Sequence, residues 1–121
     1  MDKTGKYVDG FVVPVPKQNV DAYREFSAKA GRIWKEHGAL EYIECVADDV
    51  PTGKLTSFPQ AVKLEPDEVV VFAWIVYDSR EHRDRVNAAV MKDPRLKMDP
   101  ATMPFDGRRM FFGGFKVLLA L

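Results

Sequence analysis

The sequence predicts an α+β fold in which four strands and two helices follow one another as strand, helix, strand, strand, helix, strand. Three observations lead there. The nine residues from Val69 to Tyr77 (VVVFAWIVY) carry no charge and no polar alternation, and such a run reads as a strand with both faces covered. From Val20 to His37, apolar and aromatic residues return every three or four positions, which marks the buried stripe of a helix. A second helical segment follows the apolar strand and stops short of Pro94, because the residue before a proline is pushed out of the α region.

Taken in order, Tyr7 to Val15 is rich in β-branched and aromatic residues and reads as the first strand, stopping at Pro14 and Pro16. Asn19 reads as the N-cap of the first helix. Its stripe is Val20, Tyr23, Phe26, Ala30, Ile33, Trp34 and His37, and Gly38 ends it. Leu40 to Ala47 is the second strand, and its two glutamates suggest a partly wet edge. Asp48 to Asp67 holds three prolines and a glycine without periodicity, and reads as a lid or a dimer-wrapping arm. After the apolar strand, Asp78 with Glu81 three residues on forms a capping-box variant for a helix running to about Met91. Asp93 to Gly107 is a second long loop, expected to close the same cavity from the other end. Arg109 to Leu119 is the last strand, where Gly113-Gly114 could hold a bulge or a close backbone approach.

This order is the split βαβ of a ferredoxin-like domain spanning residues 1–121, with a four-stranded antiparallel sheet and both helices on one face. The opposite face of strands as apolar as Val69 to Tyr77 and Phe11 to Val15 would then be a larger patch than monomers expose. A homodimer that stacks sheet on sheet removes the conflict.

Eighteen basic and eighteen acidic residues give a net charge of zero, so nothing pulls the chain toward nucleic acid or an anionic membrane. Residues 36–68 carry eight acids and two bases, and residues 80–121 five acids and nine bases. The asymmetry could align two copies, although ordinary solvated charge is the simpler reading. Cys45 is alone, the start Met1 to Lys6 lacks the apolar stretch of a signal peptide, and the longest apolar run falls well short of the roughly 20 residues of a spanning helix. A cytoplasmic protein is expected.

Tyr7 to Phe11, Trp34 to Ala39, Thr56 to Pro59, Ser79 to Asp84, Met103 to Met110 and Gly113 to Lys116 form a set of segments in one order across nearly the whole chain. Together they resemble the bacterial YbaA-like family, a domain of unknown function, number 1428. The resemblance implies a dimeric α/β-barrel fold and brings no established activity. That wider superfamily includes small monooxygenases, haem-degrading enzymes and plant stress proteins, so the fold alone says little about chemistry.

Candidate chemistry centres on Asp9 and His82. Asp9 lies inside the first strand on one face with Tyr7, Phe11 and Val13, and a buried carboxylate needs a partner. It is either a general base or substrate anchor, or a structural carboxylate bonded to an amide or an arginine. Gly10, on the other face, could admit a ligand or a packed aromatic. His82 shares a helical stripe with Val86, Ala89 and Val90 and should point toward the sheet, as a base, a donor to substrate or a satisfied core-edge histidine. Arg80, Arg83, Asp84 and Asn87 form a polar stripe that could hold a carboxylate or phosphate, or be a solvated face.

Tyr7, Trp74, Arg80, Arg83 and Asn87 are therefore the candidate ligand-binding residues, although Trp34 and Trp74 sit in apolar patterns that suit the core. Thr56-Ser57-Phe58 adds two hydroxyls beside an aromatic. Cys45 with His82 makes a poor nucleophile pair, because Cys45 lies mid-strand. Metal-ligand spacing and phosphate-binding glycine loops are absent, so neither metal nor cofactor is expected. The sequence thus predicts a homodimer of unknown function that binds a small organic molecule between sheet and helices. The alternatives are a cofactor-independent enzyme of monooxygenase or isomerase type and a structural or protein-interaction dimer.

Overall fold

The computed structural model describes residues 6–121, and residues 1–5, where the absence of a signal peptide was read, lie outside the described residues. Among the described residues the strands are β1 (Tyr7–Pro16), β2 (Glu41–Val46), β3 (Glu68–Tyr77) and β4 (Phe111–Lys116). The helices are α1 (Val20–Glu36), α2 (Phe58–Ala61) and α3 (Arg80–Met91). The strands form one antiparallel sheet in the order β2, β3, β1, β4, which is the arrangement of a ferredoxin-like-type α+β fold. No helix of the described residues is long and apolar enough to cross a membrane.

Strand register decides which residues meet the helices. Tyr7 pairs with Tyr77, Phe11 with Ala73 and Val13 with Val71, so odd-numbered residues of β1 and β3 share one face. On that face Val13, Val15 and Val71 pack with Tyr23 of α1, while Ile75 and Tyr77 pack with Ile33, Val86 and Val90. Even-numbered residues look the other way. There Phe72 is 43% exposed, so the apolar run of β3 is covered on the helix face and only partly on its opposite.

The part that is covered adds a helix to Asp48 to Asp67, the segment without periodicity that reads as a lid or a dimer-wrapping arm. This segment contains α2, started by Ser57, whose hydroxyl accepts from the Gln60 amide. Phe58 of α2 stacks edge-on against Phe72, and Val62 packs on Val12 and Val70. The two long loops therefore do not close one cavity. The first covers the sheet face opposite α1 and α3, and the Asp93 to Gly107 loop lies over α1, with Phe105 edge-on to both Tyr23 and Phe26.

Other boundaries shift for local reasons. β1 runs through Pro14 to Pro16 because β4 pairs with it only as far as Val12, leaving the prolines where no β4 partner needs their missing N–H. Asn19 occupies the N-cap position of α1, but its side chain donates to the Pro104 carbonyl and ties down the loop instead. The cap of α3 is Ser79, not Asp78: the Ser79 hydroxyl accepts from the His82 amide, while Asp78 pairs with Lys6 at 2.7 Å. Gly38 ends α1 at φ +117°, a value that favours glycine. β4 is shorter than Arg109 to Leu119. Its register is unbroken, so Gly113-Gly114 is no bulge; a Cβ at Gly114 would strike the Tyr7 ring, and the glycine serves a close approach.

Arg109, at the entry to β4, locks the sheet to its loops. Its guanidinium grips the buried Glu68 with bonds of 2.7 and 2.6 Å, and its Nε donates to Asp106 at 3.1 Å. The Arg109 bonds hold the Glu68 carboxyl below its usual range, and bonds from Arg108 first, with Arg109 beside it, hold that of Asp106 down at about 2. Groups with depressed values stabilise the fold above their unfolded pKa and lose that contribution as pH falls through the folded one. Asp9 has the opposite sign, because its raised carboxyl weakens the fold only as pH rises. Thermal melts should show stability falling between about pH 5 and 2, with a shallower fall in Glu68→Gln. An unchanged melting temperature across that range would contradict the assignment.

Candidate functional site

Two polar constellations lie on the helix face. In the first, Asp9 is 3% exposed and accepts from the Arg83 guanidinium at 2.6 Å. Arg83 lies 4.9 Å over the Tyr7 ring and also bonds Asp84 at 2.8 Å. Asn87 accepts from the Trp34 indole at 3.0 Å and from the Tyr77 hydroxyl at 3.1 Å. Burial pushes the Asp9 carboxyl above its usual range, and Arg83 with Asn87 pulls it part of the way back.

The fold thus brings Tyr7, Asp9, Arg83 and Asn87 together. The other sequence candidates lie apart from them. Arg80 is exposed at the start of α3, and Trp74 pairs with Gly10 on the opposite face and packs on Phe72. Gly10 there receives the Phe115 ring at ordinary contact distance. The His82 Nδ1 accepts from the Asp78 amide at 2.9 Å and its ring stands edge-on to Tyr77. Its free nitrogen is therefore Nε2, which lies near Gly38, and the first-turn position makes the imidazole a partner in the cap of α3. Cys45 is exposed on the edge strand, on the face opposite α1.

The second constellation was not picked out by residue type. Glu44 of β2 accepts from the Tyr23 hydroxyl with one oxygen and from the Tyr42 hydroxyl with the other, the latter at 2.9 Å. Both tyrosines are pushed well above their usual range by burial first and by the Glu44 charge second, so they remain phenols. The group stands between two hollows. An inner cavity of about 100 Å³ lies under α1, walled by Phe11, Phe26, Ala30, Trp34 and Phe105. An open groove of about 600 Å³ runs along the outer side of α1 toward β2, past Arg24, Arg32 and Lys35. Tyr23, Ser27, Tyr42 and Glu44 belong to both walls.

A signal for this site does exist in the sequence. Ser27 and Gly31 interrupt the apolar stripe of α1 at a spacing of four, and Tyr42 and Glu44 share one face of β2. A glycine inside a helix costs about 1 kcal/mol against alanine. Gly31 is kept because a Cβ there would lie 2.7 Å from the Tyr42 ring. Neither hollow has Asp9, Arg83 or Asn87 in its wall.

The sheet order and the cavity under the long helix define a ferredoxin-like-type α+β protein with an aromatic-lined pocket and one carboxylate in its wall. The chain belongs to the family described as "Protein of unknown function (DUF1428)", whose model matches residues 6–107. It is similar to "Uncharacterized protein YbaA" of Escherichia coli (strain K12), 56% identical over 114 residues that cover 94% of this chain and 97% of that one. The protein of the same name from Shigella flexneri matches to the same extent. Among solved structures, a de novo designed protein, Foldit4, aligns over 95% of this chain and 99% of its own at 11% identity, with a TM-score of only 0.43.

Proposed function

We propose that this protein is a cytoplasmic homodimer that binds a small organic molecule in the cavity between sheet and α1. The observation that carries the reading is the pair of adjoining hollows, an apolar inner pocket and a groove of about 600 Å³ that share Tyr23, Ser27, Tyr42 and Glu44 in their walls. Apolar walls with a few convergent polar groups are the usual form of a small-molecule site. The dimer is supported by the opposite sheet face, where Phe72, Phe111 and Phe115 are 43%, 44% and 62% exposed around a hollow of about 630 Å³. A cytoplasmic location is supported by the exposed, unpaired Cys45.

The test is extraction. Organic extracts of the purified protein should contain a small molecule that is lost from Ala30→Leu, since Ala30 is buried in the cavity wall and the added carbons fill the space. Identical extracts from the two proteins, with both folded, would contradict the site.

A second reading, a cofactor-independent enzyme of monooxygenase or isomerase type, is favoured by the raised Asp9 carboxyl and its arginine partner. It requires substrate to reach Asp9. Asp9→Asn should then abolish turnover of the extracted molecule while the fold persists, and undiminished turnover in that variant would refute it.

A further inference from the structure

We propose that the ligand of this cavity is a small organic ammonium ion, its cationic head seated on the Glu44 carboxylate between Tyr23 and Tyr42 and its apolar tail in the inner pocket. This rests on the reading of the cavity as a ligand site given above. The first argument is charge. Among the described residues Glu44 is the one charged side chain in the wall of the inner cavity, and it takes part in no ion pair. Its two hydrogen-bond partners are phenols, which leave its charge uncompensated. A partly buried carboxylate in that state is stabilised by a cation.

The second argument is hydrogen-bond polarity. Tyr23 and Tyr42 spend their protons on Glu44, so the oxygens they turn to the cavity act as acceptors, as do the remaining lone pairs of the carboxylate. An ammonium group offers donors alone and fits such a rim, whereas a carboxylate ligand would face mostly acceptors. The third argument is the wall. Phe11, Phe26, Trp34 and Phe105 present aromatic rings, which attract cations and bury alkyl chains alike. Size sets the tail: an apolar cavity of about 150 Å³ holds benzene, so one of about 100 Å³ takes a chain of roughly four carbons. Arg24, Arg32 and Lys35 line the outer groove but not the inner cavity, and none of them bonds Glu44 among the described residues. Arg24 pairs with Asp21, and Lys35 donates to the Leu40 carbonyl.

The experiment is a calorimetric titration of the full chain at pH 7 with three matched probes, n-butylammonium, n-butanol and butyrate, repeated on Glu44→Gln. Butylammonium should bind at least about tenfold more tightly than butanol, butyrate most weakly, and Glu44→Gln should bring butylammonium down to the level of butanol. The comparison among probes uses the unaltered protein and so stands even if the variant does not fold. Butanol or butyrate binding as tightly as butylammonium overturns the inference, as does undiminished butylammonium affinity in a folded Glu44→Gln. If all three probes bind equally and Ala30→Leu abolishes them all, the charge assignment falls and the cavity reading survives. If no probe binds and the Ala30→Leu extract matches that of the unaltered protein, both fall together.

Discussion

Replacing Phe72 and Phe115 together with aspartate is expected to convert the proposed homodimer into a monomer. Phe72 and Phe115 stand on the sheet face opposite α1 and α3 and are 43% and 62% exposed in a single chain. Burying each ring against a partner is worth about 1.5–3 kcal/mol, so losing both weakens association by about a hundredfold to ten-thousandfold before the cost of burying two carboxylates is added. Sedimentation velocity across a concentration series reads the change, and circular dichroism checks that the monomer keeps its fold. Because both rings are already half solvated, the fold itself should change little. A doubly substituted protein that still sediments as a dimer would mean that the chains meet elsewhere.

The largest effect on stability is expected from Arg109→Ala. Arg109 holds Glu68, whose side chain is 4% exposed, in a two-pronged grip, and its Nη1 also donates to the Lys63 carbonyl at 3.1 Å. Lys63 sits at φ +52°, a conformation that only a well-supported turn keeps in a residue other than glycine. Removing the guanidinium leaves a buried carboxylate alone and frees that turn, a loss of about 3–5 kcal/mol. Adding Glu68→Gln removes the orphaned charge, so the double variant should recover part of the loss in a urea titration. If Arg109→Ala unfolds at the same urea concentration as the unaltered protein, the grip is dispensable.

Both effects show what could and could not be read along the chain. The pattern of β3 required cover on two faces; runs of β-branched and aromatic residues placed four strands, and the 3.6-residue period placed the two longer helices. The sheet order then followed from the split βαβ arrangement. Short-range detail was harder. α2 spans four residues, too few for a periodic signal, and rests on Phe58 and Val62 finding the sheet. The α3 cap moved by one residue because Asp78 and Ser79 are both good capping residues, and Lys6, 72 positions away, claims the first.

The same limit governs the site. Asp9 and Arg83 were candidates as a buried charge and a helical stripe, and the structure joins them although 74 positions separate them. His82 was a candidate from its place on the helical stripe of α3, and a backbone amide occupies its Nδ1, while Trp74 pairs with Gly10 among the residues that look away from the helices. Glu44 read as the wet edge of β2. Only the packing of α1, opened by Ser27 and Gly31, makes it part of a cavity wall. Its meaning depends on residues 17 positions back on the neighbouring element and on a loop some 60 positions ahead, which no local pattern reports.

A native mass spectrum of the protein as purified from cells tests the central claim most directly, since assembly and retained ligand are read from one sample. A species at twice the 13.7 kDa of the chain, carrying additional small-molecule mass that collisional activation removes, is the predicted result. A spectrum holding only the mass of a single bare chain would contradict both the stacked sheets and the occupied cavity.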